Sequence, residues 1–551
     1  MAQKDYKGLK QYLGLILLCV VLYIPGLTTL PPIDRDESRF AQASRQMLES
    51  GDFIRIRFQA KPRHKKPIGI YWLQAASAAV TGSPNQIWPY RIPSVLGALV
   101  AVMLTFVFGK NLFDRQTALF GAIITASTLL LVVEAHQATT DAALLAAVVA
   151  AQGSLGTLYV RNRHGETVGL GMALTFWTAQ SIGILLKGPI VPLVSLLTIL
   201  ALLAVDRSAA HLRGLRLKLG IPLVVVLVSP WAIAITKVTG GSFFGDAIRS
   251  DLLPKLISGH ESHGFPPGYY VLVVALTFWP GSLFLWPALR KAIKLRSRIG
   301  ERFCLAWIIP AWITFELIPT KLPHYILPLF PPLALVTARL ILATTTEYWN
   351  LSRWSLARVG FILWIVVSLA LAGAIVALPL YLNGRFEMIT LWPACAGVLL
   401  LILPSWNLFR GALVEAAMGA ILLEALMLAP TLHVVLPNAN ELWLSRSVAE
   451  AAERYKGSPG DPNPVIAAAG YHEPSLVFLC GTETKLVSVQ EAALHLQQDP
   501  KGLAVVREKL DPAFHKALRN SVGSAKLLEK IEGINYTKGK RITLYLYGNL
   551  P

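Results

Sequence analysis

Cysteine is scarce in this sequence. Cys19, Cys304, Cys395 and Cys480 are the four in 551 residues, and no two have the spacing of a zinc site or a disulfide framework. Charge is scarce too: Asp, Glu, Lys and Arg make up 15% of the chain, where a soluble domain carries roughly 25%. Acidic residues are the rarer sign, 32 against 51 basic, for a formal net charge of +19. No GxGxxG, Walker loop, HExxH or GxSxG motif stands in a context that gives it weight. The sequence therefore offers no disulfide scaffold, no zinc module and no nucleotide-binding loop.

Apolar sequence is what the chain has instead, 54% of it by composition. Runs of about 18 or more apolar residues, each long enough to span a bilayer, recur along most of the length. The short alternating segments of a β-barrel are missing. The pattern predicts a polytopic α-helical membrane protein of about 13 transmembrane helices. They fall at 11–30, 86–109, 115–134, 141–160, 168–186, 189–205, 216–237, 268–289, 303–318, 325–344, 357–381, 388–403 and 410–430. Basic residues gather in short loops between these runs: Lys4, Lys7 and Lys10; Arg161 and Arg163; Arg207, Arg213, Arg216 and Lys218; and "RKAIKLRSRIGER" at 290–302. That is the positive-inside pattern, so the net charge reports topology rather than a nucleic-acid partner. It puts the N-terminus in the cytoplasm, and an odd number of spans puts the chain after about residue 432 outside. The first run lacks a small-residue cleavage site and reads as an uncleaved helix. The cytoplasmic loops are too short for a phosphate-binding domain, so any group donor must come from the membrane or the outer side.

Two regions follow: a membrane part at 1–431, with long external loops at 31–85 and 238–267, and an extracytoplasmic α/β domain at 432–551. In the latter, "ELWLSRSVAEAAERY" (441–455) reads as an amphipathic helix and "RITLYLYGN" (541–549) as a strand. "VIAAAGY" (465–471) and "LVFLCG" (476–481) read as short buried strands. In the first loop, "ESRFAQASRQML" (37–48) has helical spacing, with Phe40, Ala43 and Met47 on one side. "YWLQAASAAV" (71–80) is too short to span and reads as an interfacial helix.

The first external loop runs against the positive-inside rule. It carries Arg35, Arg39, Arg45, Arg55, Arg57, Lys61, Arg63, Lys65 and Lys66, beginning in "PPIDRDESRFAQASRQ" (31–46). Either a long loop tolerates these charges, or they form an anion site where a lipid phosphate is the obvious anion. Lys66 precedes Pro67 and a helical run, an unfavourable place for a cation unless a phosphate sits at the helix start; snorkelling is the competing reason. Asp141 stands at the outer start of a span, as an ordinary N-terminal carboxylate or as a functional one. The second loop supplies Arg249, Asp251, Lys255, His260, Glu261 and His263, without the pattern of a metal site. "PTKLPHYILPLFPP" (319–332) sets Lys321, His324 and Tyr325 at the outer mouth of a span.

Three of these stretches together resemble one family: "DESR" (36–39), Lys66-Pro67 before the interfacial helix, and "KLPHYILP" (321–328) near the tenth span. The family is the lipid A aminoarabinose transferases and their bacterial relatives of the protein O-mannosyltransferase type, with the GT-C fold. The resemblance extends over essentially the whole chain. It implies an integral-membrane glycosyltransferase that moves a sugar from a polyprenyl (undecaprenyl) phosphate to a lipid A-like or other envelope acceptor, at the outer face of the bacterial inner membrane. Carried over by position, Asp36 and Asp141 become the catalytic carboxylates, and Arg39, Lys66, Arg249 and Tyr325 the groups on the donor phosphate. Glu37, Arg63, Lys65, His263, Lys321 and His324 are candidates for the cavity lining. A monomer without a nucleic-acid partner is expected.

The chain also departs from the family. Its aromatic pair, glutamate, lysine and two prolines stand here as Arg63, His64, Lys65, Lys66, Pro67 and Ile68. The glutamate that helps hold a metal in some members is Lys65, and its histidine partner falls at or near Ala247, so no metal and no other cofactor are expected. The change at Arg63 leaves the sugar open. Chemically, Lys66, Arg249 and Tyr325 would stabilise the leaving lipid phosphate, while Asp36, kept ionised by its arginines, would serve as base or sugar clamp. A polyprenyl-lipid or glycolipid transporter would instead show paired half-sequences and charges at mid-membrane. A non-catalytic outer module on an anchor would not need the charged loop.

Overall fold

The structure, a computed structural model, describes residues 2–167, 169–257, 264–343, 355–384, 387–456, 464–519 and 525–549. His260, Glu261 and His263 lie outside the described residues. Apolar segments in lipid must satisfy their backbone internally, which a helix does, and the chain is a mostly helical, multi-pass membrane protein. Among the described residues seven helices are long and apolar enough to cross a membrane: Trp88–Leu112, Asp141–Arg163, Leu212–Thr239, Pro323–Ile341, Leu356–Leu382, Met388–Phe409 and Leu413–Val435. An eighth is counted if Arg115–Ala126 and Leu129–Ala135, bent by 60°, form one span. Gly8–Tyr23 and Ile190–Asp206 are shorter apolar helices.

Helix occupies at least part of each of the thirteen expected stretches, with ends and interruptions the periodicity did not disclose; the first stops at Tyr23. The third is the bent pair. The eighth divides into Tyr269–Thr277 and Ser282–Lys294. The tenth opens as a tighter 3-10 turn at Pro323–Leu329, where two prolines remove backbone donors. Small residues let the central helices meet: a Cβ on Gly97 would stand 2.5 Å from the Cα of Ala143.

The first loop is structured throughout. Helix Asp36–Ser50 buries Phe40, Ala43 and Met47 as its spacing requires. A two-strand turn, Arg57–Phe58 with Lys61–Pro62, leads to helix Gly69–Thr81. That helix starts so close to helix Leu170–Lys187 that a Cβ on Gly69 would sit 2.7 Å from the Leu185 carbonyl oxygen. The second loop, which reads as irregular in sequence, folds into the short helical turns Ser242–Asp246, Ala247–Leu252 and Leu253–Ile257.

Beyond Leu444 the chain forms a five-stranded sheet. Lys485–Val487, Ile466–Ala469 and Leu503–Arg507 run parallel, and Lys540–Gly548 and Lys526–Asn535 continue antiparallel. Alternate residues face opposite sides: Ile466 and Ala468 pack with helix Leu444–Arg454, Ala467 and Ala469 with helices Val489–Gln498 and Asp511–Arg519. One strand expectation is corrected. "LVFLCG" belongs to helix Pro474–Cys480. Pro474 starts it, and parallel neighbours need a crossover rather than another strand.

Candidate functional site

Helix Asp36–Ser50 is fixed at its start by a buried ion pair. The Glu37 carboxylate accepts from Arg91 Nε at 2.8 Å and Nη2 at 3.0 Å, and from the backbone amides of Ile33 and Ala138 at 2.7 and 2.8 Å. Arg91 also donates to the carbonyls of Leu27, Leu30 and Pro31. Glu37 is thus a tether between the loop and the membrane helices; it reaches the cavity wall with its carboxylate already saturated.

Asp36, one residue earlier, turns the other way. Its side chain is 64% exposed to a cavity of about 300 Å³, with Arg63 Nη2 at 3.4 Å and Arg39 Nη1 at 3.8 Å. The Arg63 guanidinium lies over the Phe40 ring, 5.2 Å from its centroid. Burial raises the Asp36 carboxyl, but the charges of Arg63 and Arg39 outweigh it, and the net displacement is downward. Asp36 is therefore an anion at neutral pH.

Lys66 faces the same cavity, paired to Asp251 at 3.1 Å, and Lys255 holds the other oxygen of Asp251 at 2.6 Å. Burial, then the nearby Lys255, push the Lys66 ammonium down to about 8, with Asp251 acting in opposition. His64 binds Asp246 at 2.8 Å, so the second loop is latched to the first in two places. Arg35, Arg39, Arg63, Lys65, Lys66 and Lys255 line the cavity against Asp34, Asp36, Glu37 and Asp251, and Phe40, Gln137, Thr320, Leu322 and His324 complete the wall. Since Arg91 matches Glu37 from behind, the lumen is basic and suited to an anion.

A second polar layer lies beneath. Asp141 is buried, paired with Lys187 at 2.5 Å and hydrogen-bonded by Thr140 at 3.2 Å. Glu134 accepts from Thr139 at 2.8 Å and faces His324 Nδ1 at 3.7 Å. The Lys187 ammonium stands 5.4 Å from the centre of the Tyr325 ring, which meets His324 edge-on at 5.0 Å. The 60° bend before Leu129 carries Glu134 to this place, opposite the first turn of helix Asp141–Arg163.

The structure thus gathers Asp36, Arg39, Arg63, Lys65, Lys66 and His324 on one cavity, with Asp141 and Tyr325 in the layer behind. Two expected residues are placed differently. Arg249 is exposed and does not line the cavity, because its helical turn directs Asp251 and, beyond it, Lys255 inward. Lys321 is buried and donates to the carbonyls of Phe265 and Ile318 at 3.0 and 2.7 Å, a role in loop closure. Asp251 and Lys255 were named in sequence only among the charges of the second loop, without a role, and Glu134 and Lys187 were not named at all. Glu134 and Lys187 carried a signal, each a charge interrupting an apolar run. Among the described residues no three His, Cys, Asp or Glu side chains are grouped to hold a metal ion.

Known proteins resemble this chain in sequence and in fold. The family model described as dolichyl-phosphate-mannose-protein mannosyltransferase matches residues 65–233. An undecaprenyl phosphate-alpha-4-amino-4-deoxy-L-arabinose arabinosyl transferase of Aeromonas hydrophila is 28% identical over 328 residues, 59% of each chain. One from Pseudomonas paraeruginosa is 26% identical over 428 residues, 75% of this chain and 74% of its own. The A. hydrophila match therefore spans less than two thirds of that relative. Crystal structures of ArnT from Cupriavidus metallidurans superpose with a TM-score of 0.74 in the apo state (19% identity, 100% of this chain, 99% of that one). The undecaprenyl phosphate-bound form gives 0.73 (18% identity, 97% of each). The apo oligosaccharyltransferase of Archaeoglobus fulgidus gives 0.52 at 12% identity, over 94% of this chain and 71% of that one. With its cavity, its sequence relatives and its superposition in view, the chain shares the fold of the ArnT structures and is similar in sequence to the aminoarabinose transferases.

Proposed function

We propose that the chain is an integral-membrane glycosyltransferase. It moves a sugar from a polyprenyl phosphate to a lipid A-like or other envelope acceptor at the outer face of a bacterial inner membrane. One observation carries this reading: Asp36, held ionised by Arg63 and Arg39, shares a cavity of about 300 Å³ with the Lys66–Asp251–Lys255 group. The names of the sequence relatives, and an ArnT structure bound to undecaprenyl phosphate, support the donor class.

In this scheme the donor phosphate lies against Lys66 and Lys255 and competes with Asp251 for them. Lys255 takes the part that the family resemblance assigned to Arg249. The acceptor oxygen attacks the anomeric carbon. The carbon–oxygen bond to phosphate breaks, its electron pair stays on the phosphate, and the two lysines stabilise that charge. An acceptor hydroxyl passes its proton to Asp36. Asp141 has no opening on the cavity and acts indirectly, by fixing Lys187 under Tyr325. One attack in line gives inversion at the anomeric carbon; retained configuration in the product would rule the single displacement out. The chain is read as thirteen crossings with the N-terminus in the cytoplasm and the sheet domain outside.

The test is mass spectrometry of envelope lipids from cells with and without the protein. A glycosyl increment lost with the protein supports transfer and names donor and acceptor together. Unchanged glycosylation with a changed sidedness of the lipid would favour a flippase instead.

A further inference from the structure

The two charges before Asp36, Asp34 and Arg35, contact the C-terminal α/β unit. The Asp34 amide donates to the Tyr536 hydroxyl at 2.7 Å. The Asp34 carboxylate accepts from both the hydroxyl and the backbone amide of Ser475. Arg35 donates to the Thr537 carbonyl at 2.8 Å. The turn that presents Tyr536 and Thr537 is itself fixed, since Glu473 accepts from Asn535 at 2.8 Å and from the Thr537 hydroxyl at 2.9 Å.

These bonds bear on a strained point. Arg35 has φ 69°, ψ −109°, a conformation an L-residue rarely adopts. Such a residue persists only where its surroundings over-determine it. Its surroundings here come from two sides. Glu37 is locked from within the membrane helices by Arg91. Residues 34 and 35 are locked from above by Ser475, Tyr536 and Thr537. Asp36 lies between the two anchors, where the strained turn enters the helix: the helical rotation of roughly 100° per residue parts Asp36 from Glu37, and the turn fixes the helix start so that Asp36 faces the cavity. The same helix is held further along by Gln42 on Thr482 at 2.7 Å and Arg45 on the Phe478 carbonyl at 3.0 Å.

We infer that the C-terminal unit is a positioning element of the active site: Ser475, Tyr536 and Thr537 hold the Asp34–Arg35 turn so that Asp36 faces the bound donor. This rests on the assignment of Asp36 proposed above. Freed of the clamp, Arg35 relaxes to negative φ and the Asp36 carboxylate leaves Arg63, while the Lys66 site is untouched. Positioning errors of about 1 Å reduce rates by up to roughly a hundredfold.

The experiment uses the full-length protein in lipid nanodiscs, with the double variant Ser475→Ala/Tyr536→Phe. For transfer from an undecaprenyl phosphate-linked sugar, kcat is expected to fall roughly ten- to hundredfold, with the donor KM and the Kd for undecaprenyl phosphate changed less than about twofold. Ser475→Thr, which keeps the hydroxyl, is expected to retain activity. An unchanged kcat, or equal losses in kcat and in lipid binding, would overturn the inference. A cryo-EM structure of the same double variant decides the matter even if no sugar is transferred by the wild type. Arg35 is expected at negative φ with Asp36 withdrawn from Arg63; an unmoved turn would overturn the inference without touching the glycosyltransferase reading.

Discussion

Removing Glu37 tests the tether on which the site is hung. Both side chains of the Glu37–Arg91 pair are 0% exposed. Glu37→Ala leaves Arg91 Nε and Nη2 and the amides of Ile33 and Ala138 without their acceptor. An uncompensated buried charge costs about 3–5 kcal/mol, and each stranded amide adds up to about 1–3 kcal/mol unless water reaches it. The carbonyls of Leu27, Leu30 and Pro31 still hold Arg91, so the lower part of the first range is the expectation for the stranded charge. Arg91→Ala strands the carboxylate instead and is expected to cost as much. The double variant removes both charges, so its loss should fall short of the sum of the singles by about 2–3 kcal/mol, the size of coupling seen between groups in one network. The assay is denaturant unfolding in detergent micelles, followed by tryptophan fluorescence. A Glu37→Ala protein as stable as wild type, or strictly additive losses, would refute the reasoning.

Lys66 sets a pH dependence. Its ammonium, pushed down to about 8, is charged below that pH and neutral above it, so phosphate binding is full at low pH and weakens as pH rises through about 8. Titration of undecaprenyl phosphate binding from pH 6 to 10 checks this, and Lys66→Arg, which does not titrate there, is expected to flatten the curve. The Asp34 carboxyl is raised from 3.8 to about 6, by burial first and then by Glu473, against its hydrogen bonds from Ser475. A raised folded pKa adds stability at low pH that is lost as pH rises through about 6, so the docked C-terminal unit should loosen across that interval. Hydrogen exchange at residues 474–480 measures it, and Asp34→Asn should remove the trend. Gly97→Ala drives a methyl into the backbone of Ala143 and is expected to destabilise by about 1–3 kcal/mol, read as an earlier unfolding midpoint.

Much of the fold was legible because lipid imposes long apolar runs and the first loop breaks a charge rule. Lys66 was legible for the same reason, since a cation at that boundary needs a counter-charge, whereas Asp36 was picked out from its neighbouring charges only by the resemblance that "DESR" carries. The partners were not. Lys66 meets Asp251, and Asp34 meets Ser475, across very long stretches of chain, and no local pattern encodes such a pairing. Nor does composition separate Asp36, aimed at the cavity, from Glu37, aimed at the core; the helical turn of roughly 100° between neighbouring residues does that, once the start of helix Asp36–Ser50 is fixed. "LVFLCG" misread as a strand because a short apolar run has no period to tell it from a buried helix. Lys321 looked like lining because sequence shows a cation but not the two carbonyls that take it.

The central claim is that Asp36 acts on a sugar whose phosphate lies at Lys66. Its most direct test is single-turnover transfer from undecaprenyl phosphate-linked sugar by purified wild type and Asp36→Asn in nanodiscs, with undecaprenyl phosphate binding measured on the same samples. Transfer is expected to vanish in Asp36→Asn while the lipid phosphate binds within about twofold of wild type and the protein stays folded. Transfer at the wild-type rate by Asp36→Asn would contradict the account.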